Sequence, residues 1–247
     1  MRFTVLALTA VPDTDTARRI HQLQDLDDRA VAKVLFHRRK QRTGHTEHLH
    51  LAQQRIAALT LVGYAAGEVV LKTQTVPEYA EADVLKSFVA ATKDGGQLVT
   101  WDGRQRAVPL LRLRCLHHEL RARAVWRALD NSQAQSHLDL RQALQPPGEA
   151  EALTLHELAV TLGLPGLLDA VALDPWELRL AGDYQALRMA TEYEALNLYL
   201  LAVRYWLVSG AMSRRAGERS RDALRDHLQA QPAPHLQRFE QAWAAAH

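Results

Sequence analysis

The chain has 247 residues, of which 47% are hydrophobic and 23% are charged. This is enough to bury the core of one full domain, with or without a small appendage. The net charge of +2 excludes the strong overall basic field of a nonspecific polyanion binder. Arginine supplies most of the 30 Lys and Arg residues, which suits phosphate binding but is equally expected from a codon-biased genome.

The single cysteine, Cys115, excludes an intrachain disulfide framework and a cysteine zinc site, and its leucine-rich surroundings predict a buried thiol. The apolar N-terminal run is broken at Pro12, which makes it too short to span a membrane. It also lacks the small-residue cleavage pattern of a signal peptide. These features predict a reduced, cytoplasmic protein with no membrane partner.

Residues 2–10 are apolar on both faces, which predicts a central strand that ends at Pro12 and Asp13. Residues 14–50 are expected to be helical and then irregular. They contain a basic run and several histidines that include His48 and His50. A metal site there is the weaker interpretation, because only Glu47 is available to complete the ligand set. A solvated basic loop that can contact phosphates is the favoured one.

Strands are expected at 55–62 and 68–74, joined by a loop over 63–67. A helix is expected from Pro77 to Ala91, because Pro is common at the first helical position. A fourth strand is expected at 97–101.

The segment from Leu98 to Leu120 predicts a strand, a tight turn at Asp102 and Gly103, and a helix after Pro109. In α/β proteins, sites form at the carboxyl ends of strands. The turn that carries Asp102, Gly103 and Arg104 is therefore a site candidate, and an ordinary strand-to-helix connection is the alternative. We expect Asp102 to cap the segment that follows.

Downstream, a fifth strand is expected near 137–140, followed by a loop at Pro146–Gly148. Thr154 and Glu157 form a predicted capping box at the start of a helix. The longest helical pattern covers 184–208, and residues beyond about 213 are expected to form a helical extension. The predicted organisation is a domain at 1–213 and an extension at 214–247.

Several segments resemble, in order along the chain, the predicted 3′–5′ exonucleases related to the proofreading domain of family B DNA polymerases. In that family an Asn-Gly-Arg turn is followed by Phe-Asp-Leu-Pro, and Asp102-Gly103-Arg104 and Arg106-Ala107-Val108-Pro109 occupy these positions. Further matches are Val11-Pro12-Asp13, His137-Leu138-Asp139-Leu140, Gly163-Leu164-Pro165-Gly166 and Asn197 with Tyr199-Leu200-Leu201. The resemblance implies a ribonuclease H-like α/β fold, with a mixed five-stranded sheet flanked by helices on both faces.

The resemblance also implies a two-metal site. In that family, four carboxylates hold two divalent metals that hydrolyse a terminal phosphodiester, and a tyrosine or histidine orients the water. The matching positions here are Ala7, Thr9, Ala107 and Glu194, with Ala190 in place of the tyrosine. Only Glu194 is charged, so we expect no catalytic residue, no bound metal and no cofactor. Mg²⁺ or Mn²⁺ would be needed only if other acids take over as ligands.

The leading hypothesis is a catalytically degenerate exonuclease-like protein that binds nucleic-acid strands or ends without cutting them. The expected partner is single-stranded DNA or a 3′ end. The expected phosphate contacts are Arg104, Arg106, Arg38, Arg39, Lys40 and Arg42.

Two alternatives remain open. The first is a scaffold that binds a protein partner, most plausibly through the extension after Gly210. The second is an active metal-dependent 3′–5′ exonuclease with relocated ligands. Asp13, Asp102, Asp139 and Glu192 are the nearby acids for it.

Overall fold

Five strands form one mixed sheet in the computed structural model, which describes residues 1–93, 95–130, 136–145 and 153–245. Their order across the sheet is β3-β2-β1-β4-β5. The antiparallel pairs are β1 with β2 and β2 with β3, and the parallel pairs are β1 with β4 and β4 with β5. The strands are β1 (Phe3–Pro12), β2 (Gln54–Ala65), β3 (Glu68–Thr75), β4 (Gln97–Thr100) and β5 (His137–Asp139). The predicted strand positions and the ribonuclease H-like fold class are confirmed.

Helices cover both faces of this sheet. In chain order, those before residue 150 are α1 (Thr14–His21), α2 (Asp28–Thr43), α3 (Glu81–Thr92), α4 (Ala107–His117), α5 (Arg123–Asp130) and α6 (Leu140–Leu144). Those after it are α7 (Leu155–Thr161), α8 (Pro175–Ala181), α9 (Tyr184–Val208), α10 (Arg214–Gln229) and α11 (Pro234–Ala245). The loop predicted at Pro146–Gly148 lies outside the described residues. None of the helices in the described ranges has the length and apolar character needed to cross a bilayer.

The central position of β1 explains why both of its faces are apolar. Val5 and Ala7 belong to the core cluster that contains α9, whereas Leu6 belongs to the cluster that contains α3 and α4. Cys115 is buried in the second cluster, as predicted. The strand therefore separates two hydrophobic layers, as a central strand of an α/β sheet should.

Three predicted boundaries are wrong by a few residues. The β2–β3 loop is only Ala66-Gly67, because both residues have a positive φ and form a tight hairpin turn. Helix α3 begins at Glu81 rather than Pro77, since residues 76–80 form a turn closed by the Tyr79 N–H and the Thr75 carbonyl. Helix α4 begins at Ala107, and Pro109 is tolerated in its first turn because N–H groups there have no intrahelical acceptor.

The C-terminal helices α10 and α11 share the core of the sheet. Leu224, Leu228, Phe239 and Trp243 lie in the same buried cluster as β1 and α9. Their burial couples the stability of these helices to that of the sheet layer. The boundary at 213 stays a prediction.

Arg114 of α4 is buried and joins elements that are far apart in sequence. Its Nε and Nη2 donate to the two carboxylate oxygens of Glu81 at 2.9 and 2.5 Å, and its Nη1 donates to Asp13 Oδ2 at 3.0 Å. Glu81 also accepts the Ile56 N–H at 2.9 Å. Burial alone would raise the pKa of Glu81, but hydrogen bonds from Arg114 and His118 outweigh it and hold that pKa below its ordinary value.

Replacing Arg114 with Met should destabilise the fold by about 3–5 kcal/mol at neutral pH, because Asp13 and Glu81 would remain buried without their cation. Urea denaturation measures this loss. Because the pKa of Glu81 is lowered on folding, the wild type should also lose stability as the pH falls below about 4.5. Arg123→Met removes an exposed arginine of α5 and serves as the control. Equal stability of the two variants would contradict a structural role for the cluster.

Candidate functional site

The turn after β4 is tied to β5 by one carboxylate. Asp139 accepts the N–H of Asp102 at 3.0 Å and the N–H of Arg104 at 2.9 Å. The Arg104 Nη2 donates to the carbonyl of His137 at 2.8 Å. Asp102 has a φ of +56°, a left-handed conformation that is uncommon outside glycine. The loop at the carboxyl end of the parallel strands is therefore held by specific long-range hydrogen bonds.

Gly103 is required in this turn because the Thr100 side chain packs too close to its Cα to leave room for a Cβ atom. A Cβ atom at this position would lie 2.2 Å from Thr100 Oγ1, which is itself hydrogen-bonded to His137 Nε2 at 2.8 Å. Burial, followed by the charge of Arg104, lowers the pKa of His137 to about 4. The imidazole is therefore neutral at physiological pH and contributes a hydrogen bond rather than a charge.

The Asp102 carboxylate pairs with two arginines rather than capping α4. Arg141 Nη1 lies 2.7 Å and Arg106 Nε lies 3.2 Å from Asp102 Oδ2. The N-cap residue of α4 is Arg106, and no side chain caps that helix. The expectation that Asp102 is a cap is therefore wrong, because the cations compete successfully for its oxygens. Two guanidinium groups share one carboxylate, which leaves excess positive charge at this edge.

A cleft of about 710 Å³ opens beside this turn, at the carboxyl ends of β1 and β4. Its apolar lining includes Leu6, Leu8, Ala10, Trp101, Ala107 and Leu110. Its polar lining includes His48, Asp102, Arg106, Arg141, His156 and Glu194. The arrangement is an apolar groove with arginines on one rim and three carboxyl groups, of which Asp102 is paired with those arginines, Glu157 belongs to α7 and Glu194 to α9.

Glu194 is the unusual group in this cleft. It is partly buried, and it has no hydrogen bond or ion pair with any residue of the described chain. Desolvation raises its pKa to about 7. At neutral pH the carboxyl group is therefore divided between its charged and neutral forms.

The positions matched to the family's metal ligands do not all face the cleft. Ala107 and Glu194 line it. Ala7 is buried in the core that contains α9, and Ala190 packs against that same core. The Thr9 hydroxyl is hydrogen-bonded to the Thr191 hydroxyl at 2.8 Å. Their correspondence to the ligand positions stays a prediction.

The side chains present do not fit a pair of divalent metals. Across the described ranges, no three or more His, Cys, Asp or Glu side chains come together in a way that would hold an ion. Asp102 is paired with arginines, and Glu157 is engaged in the predicted capping box with Thr154, which is confirmed. Glu194 alone is too few ligands for Mg²⁺ ions, which need several anionic oxygens at short range.

The six basic residues expected to contact phosphate are divided among different surfaces. Arg106 lines the cleft, whereas Arg104 lies on the far side of the turn, against α4. Three of the others, Arg38, Arg39 and Arg42, line a separate cavity. Lys40 is paired with Glu47 at 3.0 Å and does not line that cavity.

Sequence reasoning did not identify Arg141 as a residue of the cleft. The one signal in the sequence is that Arg141 directly follows the motif His137-Leu138-Asp139-Leu140, and this does not show which way its side chain faces. The six assignments as phosphate contacts stay predictions.

A family model described as a predicted 3′–5′ exonuclease related to the exonuclease domain of PolB matches residues 46–243. The matched span runs from the segment before β2 into α11. The chain belongs to this family. Comparison with curated proteins gives no match. The match begins after β1, so the positions assigned to Ala7 and Thr9 rest on the central place of that strand and on Val11-Pro12-Asp13 at its exit.

Gly103→Ala should destabilise this exonuclease-like fold by about 1–3 kcal/mol, because the new methyl group would overlap the Thr100 side chain. The loss is measured by urea denaturation. Gly63→Ala in β2 is the matched control, since the nearest atom to its added Cβ would be 4.0 Å away. If both variants have the stability of the wild type, close approach does not explain the glycine.

Proposed function

We propose that this member of the exonuclease family binds a nucleic-acid strand or its end in the cleft without cutting it. The observation that carries the proposal is the composition of the cleft. Of the positions matched to metal-binding acids, only Glu194 is an acid, and it lines the cleft. Fewer carboxylates mean fewer metal ligands and also less repulsion of phosphate.

The arginine pair on the rim supports phosphate binding. Arg106 and Arg141 share Asp102, and the Arg106 side chain is 57% exposed. A guanidinium group presents two parallel donors to phosphate oxygens, and only part of that capacity is used by Asp102. Arg106 is therefore the first residue to test, with Arg104 as the neighbouring contact on the other side of the turn.

We propose single-stranded DNA or a 3′ end as the partner. A cavity of about 710 Å³ has the dimensions of a small-ligand site, so it has room for a terminal nucleotide but not for a duplex. Its apolar walls provide a surface for a base, while the arginines reach the backbone. The free, buried thiol of Cys115 supports our proposal that the protein is cytoplasmic.

Single-stranded DNA carrying a 3′ label should bind the full chain without any divalent metal, and it should stay intact both with and without Mn²⁺. Arg106→Gln should weaken binding and lower the salt slope by about 0.7, the value for one lost phosphate contact on a single strand. Arg215→Gln, an exposed arginine of α10, is the control and should change neither quantity.

Three other results would contradict the proposal. Metal-dependent degradation that is lost in Glu194→Ala would establish an active exonuclease with relocated ligands. Unchanged affinity and salt dependence in Arg106→Gln and Arg104→Ala would remove the assigned contacts. Absence of binding to any nucleic acid, with copurification of a protein, would favour the scaffold hypothesis.

Affinity for the strand should fall about fivefold as the pH rises from about 6 to about 8. Above its pKa of about 7, Glu194 gains a negative charge, and one charge near a phosphate costs about 1 kcal/mol in a high dielectric. Because His48 and His156 also line the cleft, the measurement compares wild type with Glu194→Gln across the same pH range. Identical pH profiles for the two proteins would show that Glu194 does not face the bound strand.

A further inference from the structure

A second cavity, of about 650 Å³, lies against α1 and α2 and is strongly cationic. It is lined by His21, Arg38, Arg39, Gln41, Arg42, His50 and Gln53. None of these residues is acidic. We call this cavity the basic pocket. Like charges brought together without a carboxylate repel one another, and an anion would relieve that repulsion.

The polar groups of the basic pocket leave donors available. Arg42 has no ion pair or hydrogen bond with any residue that the structure describes. The bond of Arg39 is from Nε to the carbonyl of His48 at 2.9 Å, so its two terminal nitrogens remain available. Guanidinium groups with unused donors are the side chains best suited to phosphate.

His21 is held neutral at the wall of the pocket. Arg38 Nη1 lies 2.7 Å from His21 Nδ1, and because a guanidinium group can only donate, Nδ1 must be the acceptor. The proton of the ring is therefore on Nε2, which is buried and has no partner among the described residues. Burial, followed by the charges of Arg38 and Arg42, lowers the pKa of His21. A neutral imidazole leaves the charge of Arg38 uncompensated at this wall of the pocket.

The segment from His48 to Gln54 connects the basic pocket with the cleft. His48, Leu51 and Gln54 line the cleft, whereas His50 and Gln53 line the basic pocket. Burial is the main cause of the lowered pKa of His48, and the charges of Arg106 and Arg39 add to it. Arg39, which lines the basic pocket, also donates its Nε–H to the carbonyl of His48, which lines the cleft, so the two sites meet at this residue.

We propose that the basic pocket binds backbone phosphates of a strand that leaves the cleft across residues 48–54. This inference rests on the proposed function and adds a second phosphate site to it. Arg38 and Arg42, four residues apart on the same face of α2, provide the main contacts, and His21, His50 and Gln53 complete the wall. A dinucleotide has one internucleotide phosphate and cannot occupy both phosphate sites at once, whereas a longer strand can contact both.

The test compares a dinucleotide with a single-stranded oligonucleotide of about 16 nucleotides, a length at the upper end of common single-strand site sizes. The variant Arg38→Gln/Arg42→Gln should lose roughly tenfold in affinity for the longer strand, and its salt slope should fall by about 1.4. Its affinity for the dinucleotide should be unchanged. The single variant Arg42→Gln, which disturbs no contact, should show half of the change in slope.

Arg215→Gln/Arg219→Gln is the matched control, because these exposed arginines are also four residues apart on a helix. It should bind both ligands like the wild type. A loss equal to that of the Arg38/Arg42 variant would mean that the effect is one of net charge and would overturn the proposal.

The remaining outcomes separate the two proposals. If Arg106→Gln weakens binding of the longer strand and the Arg38/Arg42 variant does not, the basic pocket is not on the strand path, while the cleft function stands. If the wild type binds neither oligonucleotide, the proposed function fails and this inference fails with it.

Two further measurements identify the source of the anion. In the first, inorganic pyrophosphate binds the wild type but not the Arg38/Arg42 variant, while the two proteins bind the strand with equal affinity. That result would assign the pocket to a free oligophosphate. Displacement of the strand by poly-aspartate as effectively as by unlabelled strand would assign it to acidic proteins. Either result would overturn the proposal.

Discussion

One buried guanidinium group fixes helices α3 and α4 against the exit of the central strand β1. Arg114 faces two carboxylates, Asp13 at the exit of β1 and Glu81 at the start of α3. The two carboxylates carry one more negative charge than Arg114 neutralises, and backbone donors stabilise it. Asp13 accepts the Thr16 N–H, and Glu81 accepts the Ile56 N–H. The desolvation cost of such a cluster is recovered only when every lone pair is satisfied, and here the hydrogen bonds come from several different elements. The cluster therefore specifies the relative position of these elements.

The cleft depends on this arrangement, because α4 carries Arg114 near its carboxyl end and Ala107 at its start. Fixing α4 against the exit of β1 fixes the side of the cleft that Ala107 and Leu110 form. The opposite end of the turn is fixed independently by Asp139, which holds the Asp102 and Arg104 amides. The cation-bearing rim is thus a rigid loop between two anchored elements, which is the property expected of a binding site.

The sequence was sufficient for those features that depend on local pattern. The two apolar faces of β1, the two strand runs separated by a glycine-containing loop at β2 and β3, and the long periodicity of α9 each predicted the element observed. The capping box at Thr154 depends on four consecutive residues and was likewise visible. Such features need no information about distant parts of the chain.

Features that depend on long-range pairing could not be predicted in this way. Asp102 was expected to cap a helix because its neighbours allow it, but Arg141 binds it from 39 residues away. The pairing of Arg114 with Asp13 spans 101 residues, and no local signal marks either partner. The same reason applies to the division of the six predicted phosphate contacts among separate surfaces. These five arginines and one lysine look equivalent in sequence, and only the fold separates them.

The contact between β1 and α9, which we call the seam, buries several of the positions that the family resemblance assigns to metal-binding acids. Ionised carboxylates placed there would need counterions, because like charges in a partly desolvated site cannot all stay ionised. Thr9 and Thr191 instead share a neutral hydrogen bond, and Ala7 packs in the core. Glu194 has no cation partner among the described residues, and desolvation raises its pKa to about 7, so part of its population is neutral where a paired acid would stay charged. The hydroxyl pair, the packed alanine and the partly neutral carboxyl group each avoid an unpaired buried charge, so the seam is stable without a counterion. This stability depends only on these side chains and not on which ligand the cleft binds.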